Sequence, residues 1–128
     1  MSCIVDHIII AVEDLEQASH EYALMLGRAP SWRGTHPDYG SANTLFRIDN
    51  TYLELLAADG EGWAGDMVRN VLASAGSNLC ALVFGTQDAA AFLENARAQG
   101  LDVADPAAGH GVDTHSGATR TWRSMHWD

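Results

Sequence analysis

The chain of 128 residues contains no lysine. A Schiff-base lysine and a phosphate-binding P-loop lysine are therefore both excluded, because each chemistry needs a primary amine. Its basic charge comes from seven arginines against seventeen acidic residues, a net charge of −10. Such a balance repels phosphate backbones and anionic lipid, so neither nucleic acid nor a membrane is an expected partner. Cysteine is also scarce. Cys3 and Cys80 lie far apart and form no CxxC pair, which points to a reducing compartment and a cytoplasmic location. No apolar run approaches the roughly 20 residues of a membrane span. The opening "MSCIVDHIII" has Asp6 and His7 inside its apolar stretch and no basic residue ahead of it, unlike a signal peptide.

What is present is ordinary globular material, 47% hydrophobic and of a length that suits one domain, residues 1–128. "CIVDHIIIAV" reads as a buried strand rich in β-branched residues. In "EDLEQASHEYALMLG", Leu15, Ala18, Tyr22, Met25 and Leu26 form a helical stripe between Asp14, a candidate N-cap, and Gly27, a candidate left-handed C-cap. A short strand is expected around Pro30 to Arg33, a loop over "THPDYGSAN", and two strands, "TLFRI" and "TYLELL", around a turn at Asp49-Asn50. A connecting helix, "MVRNVLASAG", follows, with Val68, Leu72 and Val71 as its inward residues.

The pattern then restarts. "NLCALVFG" reads as a strand, "TQDAAAFLENARAQG" as a helix ending at Gly100, and "LDVAD" as a short strand. A Gly-, Ala- and His-rich loop leads to a last strand, "TRTWRSMHWD". An offset of 73 residues superimposes Gly27 on Gly100, Ala18 on Ala91, Glu21 on Glu94 and Ala23 on Ala96, and places Cys80 on His7. Two tandem copies of one strand-helix-strand unit are therefore expected, residues 3–58 and 79–128 with a linker over 59–78. The second copy stops before a strand matching "TYLELL". Its unpaired edge, bearing Trp122, Met125 and Trp127, makes a homodimer, or a piece of a longer chain, the expectation.

One residue breaks the pattern. Glu54 lies in the most apolar run of the chain, with apolar residues at the neighbouring positions of both strand faces. A buried carboxylate costs several kcal/mol unless a base, a set of donors or a metal ion meets it. His7, on the first strand, shares a face with Ile9 and Ala11 and could meet Glu54 if both strands join one sheet. Two readings stay open on spacing alone: a His-Glu pair of metal ligands, or two satisfied core residues with Glu54 paired to an arginine such as Arg47.

"DHIIIAVEDLEQASHEYALMLG" resembles the opening of the vicinal oxygen chelate superfamily, which includes glyoxalases, extradiol dioxygenases and bleomycin-resistance proteins. "HPDYGSANTLFRIDNTYLELLAAD" further resembles its glyoxalase-like subgroup. The resemblance implies an α+β fold of paired β-α-β-β-β modules forming a cupped mixed sheet, here with the second module lacking its last strand. It also implies a metal-dependent enzyme of lyase, isomerase or dioxygenase type acting on a small oxygenated substrate. The expected cofactor is a divalent metal (Zn, Ni, Fe or Mn) on His7 and Glu54, with Glu54 also the catalytic carboxylate. Cys80 stands where the family has a third, histidine ligand, and the fourth ligand has no counterpart. A longer protein, a second chain or loss of the metal would each account for that. The alternative is a metal-free pocket of the same fold that binds a small molecule among the four tryptophans.

His36, Asn43 and Tyr52 are candidate substrate contacts, from the loop and from the strand that carries Glu54. The literal G-x-G-x-x-G in "GEGWAG" is set aside as a dinucleotide fingerprint, because Glu61 would face a pyrophosphate and no ribose-binding acid ends the next strand. "HGVDTH" has no zincin spacing and reads as a solvated loop, while His126 alternates with Trp122 and could face a pocket.

Overall fold

The computed structural model describes residues 3–74, 76 and 78–126. Strand β1 (Cys3–Ala11) leads into helix α1 (Leu15–Leu26), and strands β2 (Trp32–His36), β3 (Ser41–Arg47) and β4 (Tyr52–Ala58) complete the first unit. Helix α2 (Trp63–Ala73) connects it to β5 (Leu79–Thr86), α3 (Ala89–Ala98), β6 (Ala107–Asp113) and β7 (Thr119–Ser124). All seven strands join one curled mixed sheet, in the order β5-β1-β4-β3-β2-β6-β7. The fold class is the expected one, with three strands in the second unit against four in the first. Trp127, placed on the last strand by its sequence, lies outside the described residues.

Each face of the sheet is covered differently. Leu53, Leu55 and Ala57 of β4 point to the outer face, where Phe46, Leu15 and Ala18 close a core under α1. On the inner face, α2 seats Val68 against Ala11 and Leu56, with Val71 and Leu72 beside it. Alternation therefore resolves the apolar run of β4, one parity under α1 and the other lining the concave side. Helix α2 covers only the Ala11–Leu56 end of that side. The end bearing His7, Tyr52 and Glu54 is left as a cup.

The helix caps follow the sequence closely. The backbone N–H of Gln17 donates to Asp14 Oδ1 at 3.0 Å, and Gly27 is left-handed at φ 66°. Met25, counted in the apolar stripe, is instead 69% exposed, so the buried face of α1 is narrower than the stripe implied. Ser19 takes part of that face. Its hydroxyl bonds the Leu15 carbonyl and lies 2.7 Å from the Thr44 hydroxyl on β3.

Gly62 and Gly65 of "GEGWAG" serve backbone contact. A Cβ on Gly62 would collide with the Tyr39 carbonyl, and one on Gly40 with the Glu61 carbonyl. Because the two turns touch, Ala64 N and Gly65 N both donate to Tyr39 O at 3.1 Å, and Asp59 N donates to Gly40 O at 2.8 Å. These bonds hold the first turn of α2 against the β2–β3 turn.

The main correction concerns the second unit. "LDVAD" is not a strand, and the Gly-, Ala- and His-rich segment expected as a loop is β6, including His110 and Asp113 of "HGVDTH". The Arg97 guanidinium takes the Val103 carbonyl, an acceptor a strand ladder would need, and Pro106 next to it has no N–H to give. Strand β6 instead gains its place from β2 on one side and β7 on the other.

Candidate functional site

The registers bring the site together. Strands β1 and β4 are parallel neighbours, with His7 opposite Tyr52 and Ile9 opposite Glu54. Strand β3 faces β4 on its other side, placing Arg47 opposite Tyr52, Leu45 opposite Glu54 and Asn43 opposite Leu56. Neighbours across a sheet share a face, so His7, Tyr52, Glu54, Asn43 and Arg47 all stand on the concave side.

Glu54 is 8% exposed and held from two directions. His7 Nε2 lies 3.1 Å from Oε1, and Asn43 Nδ2 donates to Oε2 at 2.9 Å. Arg47 does not serve it. That guanidinium sits over the Tyr52 ring, 5.4 Å from its centroid. The other imidazole nitrogen, Nδ1, lies 2.7 Å from Asp6 Oδ2, so His7 has a carboxylate on each side.

Asp6 is a site residue the sequence did not suggest, because adjacent residues on a regular strand point to opposite faces. Here the β1–β5 register slips between Val5 and His7, and Asp6 sits in that bulge with its carboxylate turned to the imidazole. Burial alone would lower the pKa of His7, but hydrogen bonds and charge from Glu54 and Asp6 outweigh it and hold the group above its ordinary value. Tyr52 stacks on the imidazole, ring centroids 4.4 Å apart and planes 13° apart. Burial, followed by the charges of Asp6 and Glu54, pushes the Tyr52 phenol well above its usual range and keeps it neutral.

His36 is buried near the far side of the cup. Its Nδ1 lies 2.8 Å from the Ser41 hydroxyl, and the Trp122 ring meets its imidazole edge-on at 5.7 Å. Burial lowers the His36 pKa, with the Glu54 charge opposing and His110 adding to the effect, so this imidazole is neutral near pH 7. Asn43 is buried too. Because Nδ2 bonds Glu54, its Oδ1, itself buried, is left without a hydrogen-bond partner among the described residues.

The wall opposite Glu54 comes from β2, β6 and β7. Gly109 lies under the Trp122 indole, where any Cβ would collide with the ring. This explains why β6 looks like a loop in sequence: the inward space at that position belongs to a ring from β7. Of the four tryptophans, Trp32 and Trp122 line the concave side. Trp63 lies instead on the Tyr39 and His126 rings.

Cys80 packs beside Ala11, Leu56 and Val68, and burial together with the Glu54 charge raises its pKa, so it is a neutral thiol. Among the described residues, no group of three His, Cys, Asp or Glu side chains gathers as a metal would require. His7 and Glu54 do fit two neighbouring ligand positions. Asp6 on Nδ1 is the orienting carboxylate that a ligating imidazole ordinarily has.

Comparisons with known proteins come from sequence and from structure. The model of the glyoxalase-like domain family matches residues 5–128. No curated protein matches. A hypothetical protein from Staphylococcus aureus superimposes with a TM-score of 0.76 at 20% identity, covering 98% of this chain and 52% of the other. This chain thus spans about half the length of that protein. A methylmalonyl-CoA epimerase from Streptomyces coelicolor, in complex with 2-nitronate-propionyl-CoA, gives 0.68 at 24% identity and covers 85% of each chain. The Mycobacterium tuberculosis enzyme of the same name gives 0.68 at 20%, covering 85% of this chain and 77% of the other.

The geometry of His7 yields a titration prediction. A histidine whose folded pKa is raised stabilises the fold fully below its unfolded value of about 6.5 and loses that contribution as pH rises through the folded value. The His7 ring protons, followed by NMR, should titrate above that value in wild type and at a lower pH in Glu54→Gln. A wild-type midpoint at or below it would mean that burial outweighs the two carboxylates.

Proposed function

The chain belongs to the glyoxalase-like domain family of the vicinal oxygen chelate superfamily, and from that premise we propose that it is an enzyme acting on a small oxygenated substrate. The observation that carries this reading is the buried Glu54 carboxylate, held by His7 and Asn43 on the concave face of the sheet. The reaction is of the lyase or isomerase type. Glu54 takes a proton from a carbon beside a carbonyl or from a hydroxyl, and returns it to a neighbouring position. His7 keeps positive charge beside the carboxylate, and Asn43 fixes its orientation while offering Oδ1 to a substrate hydroxyl. His36 and Tyr52, both neutral, line the substrate's sides. An epimerase, by its name an enzyme that inverts a stereocentre, shares the fold and supports a proton-transfer reading.

A divalent metal, when bound, supplies Lewis-acid polarisation of the substrate's oxygens, and His7 Nε2 and Glu54 Oε1 would hold it. A proton on His7 competes with that role, so loading should increase as pH rises through the raised His7 pKa. Protein loaded with Ni²⁺ or Zn²⁺ at about pH 8 should retain close to one equivalent, and His7→Ala and Glu54→Gln should each lower it. Retention below about a tenth of an equivalent in wild type would favour the second reading, a metal-free binding pocket. That reading has its own support, since the His7–Glu54 pair is complete as a hydrogen-bonded ion pair and lacks a third ligand among the described residues.

The assembly proposed is a homodimer. Strands β5 and β7 end the sheet, and Leu82 and Phe84 of β5 with Ile4 of the adjoining β1 are exposed by 52%, 50% and 59%. Apolar surface gathered at an open edge is a site for a second copy to cover. Light scattering at low micromolar concentration should give twice the chain mass. A stable species near 13.8 kDa would overturn this assembly.

A further inference from the structure

The arginines of this chain are few, and most are occupied. Arg33, Arg69 and Arg97 pair with Glu16, Asp66 and Asp105, while the guanidinium groups of Arg28 and Arg123 donate to the Arg47 and Pro106 carbonyls. Arg47 and Arg120 differ. Among the described residues neither guanidinium has a carboxylate or carbonyl partner, and each is seated on an aromatic ring, Arg47 over Tyr52 and Arg120 over Trp32 at 5.2 Å. They come from β3 and β7, far apart in sequence, yet both line one cavity of about 270 Å³ with Ser31, Trp32, Leu45 and Tyr52. Among the described residues no acidic side chain lines that cavity, although the chain carries seventeen.

The position of the cavity gives it meaning. His7 and Arg47 flank Tyr52 from the strands on either side, so one stacked row runs from Arg47 through Tyr52 to the imidazole that touches Glu54. A ring beneath a guanidinium holds its plane and leaves its edge donors free, the arrangement that receives an oxyanion in a fork of hydrogen bonds. Two such groups in a protein of net charge −10 make a local positive site beside the proposed proton-transfer group.

We propose that Arg47 and Arg120 form an oxyanion clamp, and that the substrate is a small molecule carrying a carboxylate or phosphate held there while its reacting carbon or hydroxyl lies at Glu54. This deepens the reading of the cup as the reacting site and rests on it for the role of Glu54. The clamp itself requires only binding. It also supplies what the acid–base pair lacks, a fixed anchor that decides which end of the substrate meets Glu54.

The test is binding without turnover. Pyruvate, its neutral amide pyruvamide, and inorganic phosphate are titrated into the full chain at low ionic strength, with the Trp32 indole N–H and the arginine Nε–H signals followed by NMR. Pyruvate should shift these signals and pyruvamide should not, and R47Q and R120Q should each weaken pyruvate by about tenfold, the scale of a charge-assisted hydrogen bond. R69Q, whose guanidinium is paired with Asp66 outside the cavity, should leave binding unchanged. A response to phosphate as strong as that to pyruvate assigns the clamp to phosphate esters, and a pyruvate-only response assigns it to carboxylates. Equal responses to pyruvate and pyruvamide, or anion binding unchanged in the R47Q/R120Q double variant, would overturn the proposal. Since H7A and E54Q are read by metal loading and E54Q by the His7 titration, failure of the acid–base reading leaves the clamp result standing, and the converse holds.

Discussion

A buried carboxylate with nowhere to go is the constraint around which this molecule is arranged. Removing Glu54 from water costs several kcal/mol, and a single partner seldom offsets it. The protein meets the cost from the two strands flanking β4: His7 from β1, with Asp6 behind it through a bulge, and Asn43 from β3. Each partner is in turn fixed. Tyr52 stacks on His7, and β3 is tied to α1 through the Thr44–Ser19 hydroxyl pair. The parallel pairing of β1 with β4 is therefore what the site depends on, because a slip of one residue would turn Glu54 into the α1 core.

The rest of the sheet shapes the space above that carboxylate. Helix α2 fills one end of the concave side with Val68 and its neighbours, and its own position is set by the contact of the Gly40 and Gly62 turns. Farther along that side, glycines face inward from β6 and rings lie across them, Trp122 from β7 and His36 from β2. Stability and recognition are divided accordingly. The outer core of Phe46 and Leu55 holds the sheet, while the inner side spends its burial on polar groups whose value is chemical.

The sequence made the first unit legible and much of the second opaque, for a physical reason. Asp14 and Gly27 mark α1 because caps are local, and Glu54 stood out because a charge in an apolar run contradicts its surroundings. Spacing offered His7 as one of two open partners for it, and only the resemblance favoured that pairing, since the β1–β4 pairing is non-local. Strand β6 was missed because its inward positions are glycines, whose usual meaning is a turn. Their meaning here is set by Trp122, a dozen residues downstream. Asp6 was hidden by the alternation rule that its bulge breaks. Arg120 and Trp32 carry no local signal at all, because they meet only when β7 and β2 curl toward each other.

The central claim is that His7 and Glu54 act as one ion pair, and a double-mutant cycle measures it most directly. Urea unfolding of wild type, His7→Gln, Glu54→Gln and the double variant at about pH 6 should give a coupling of about 1–3 kcal/mol. That coupling should shrink at a pH well above the raised His7 pKa, where the imidazole is neutral. Additive effects at the lower pH would mean the two side chains are neighbours without being partners, and the account of the cup as an acid–base site would lose its foundation.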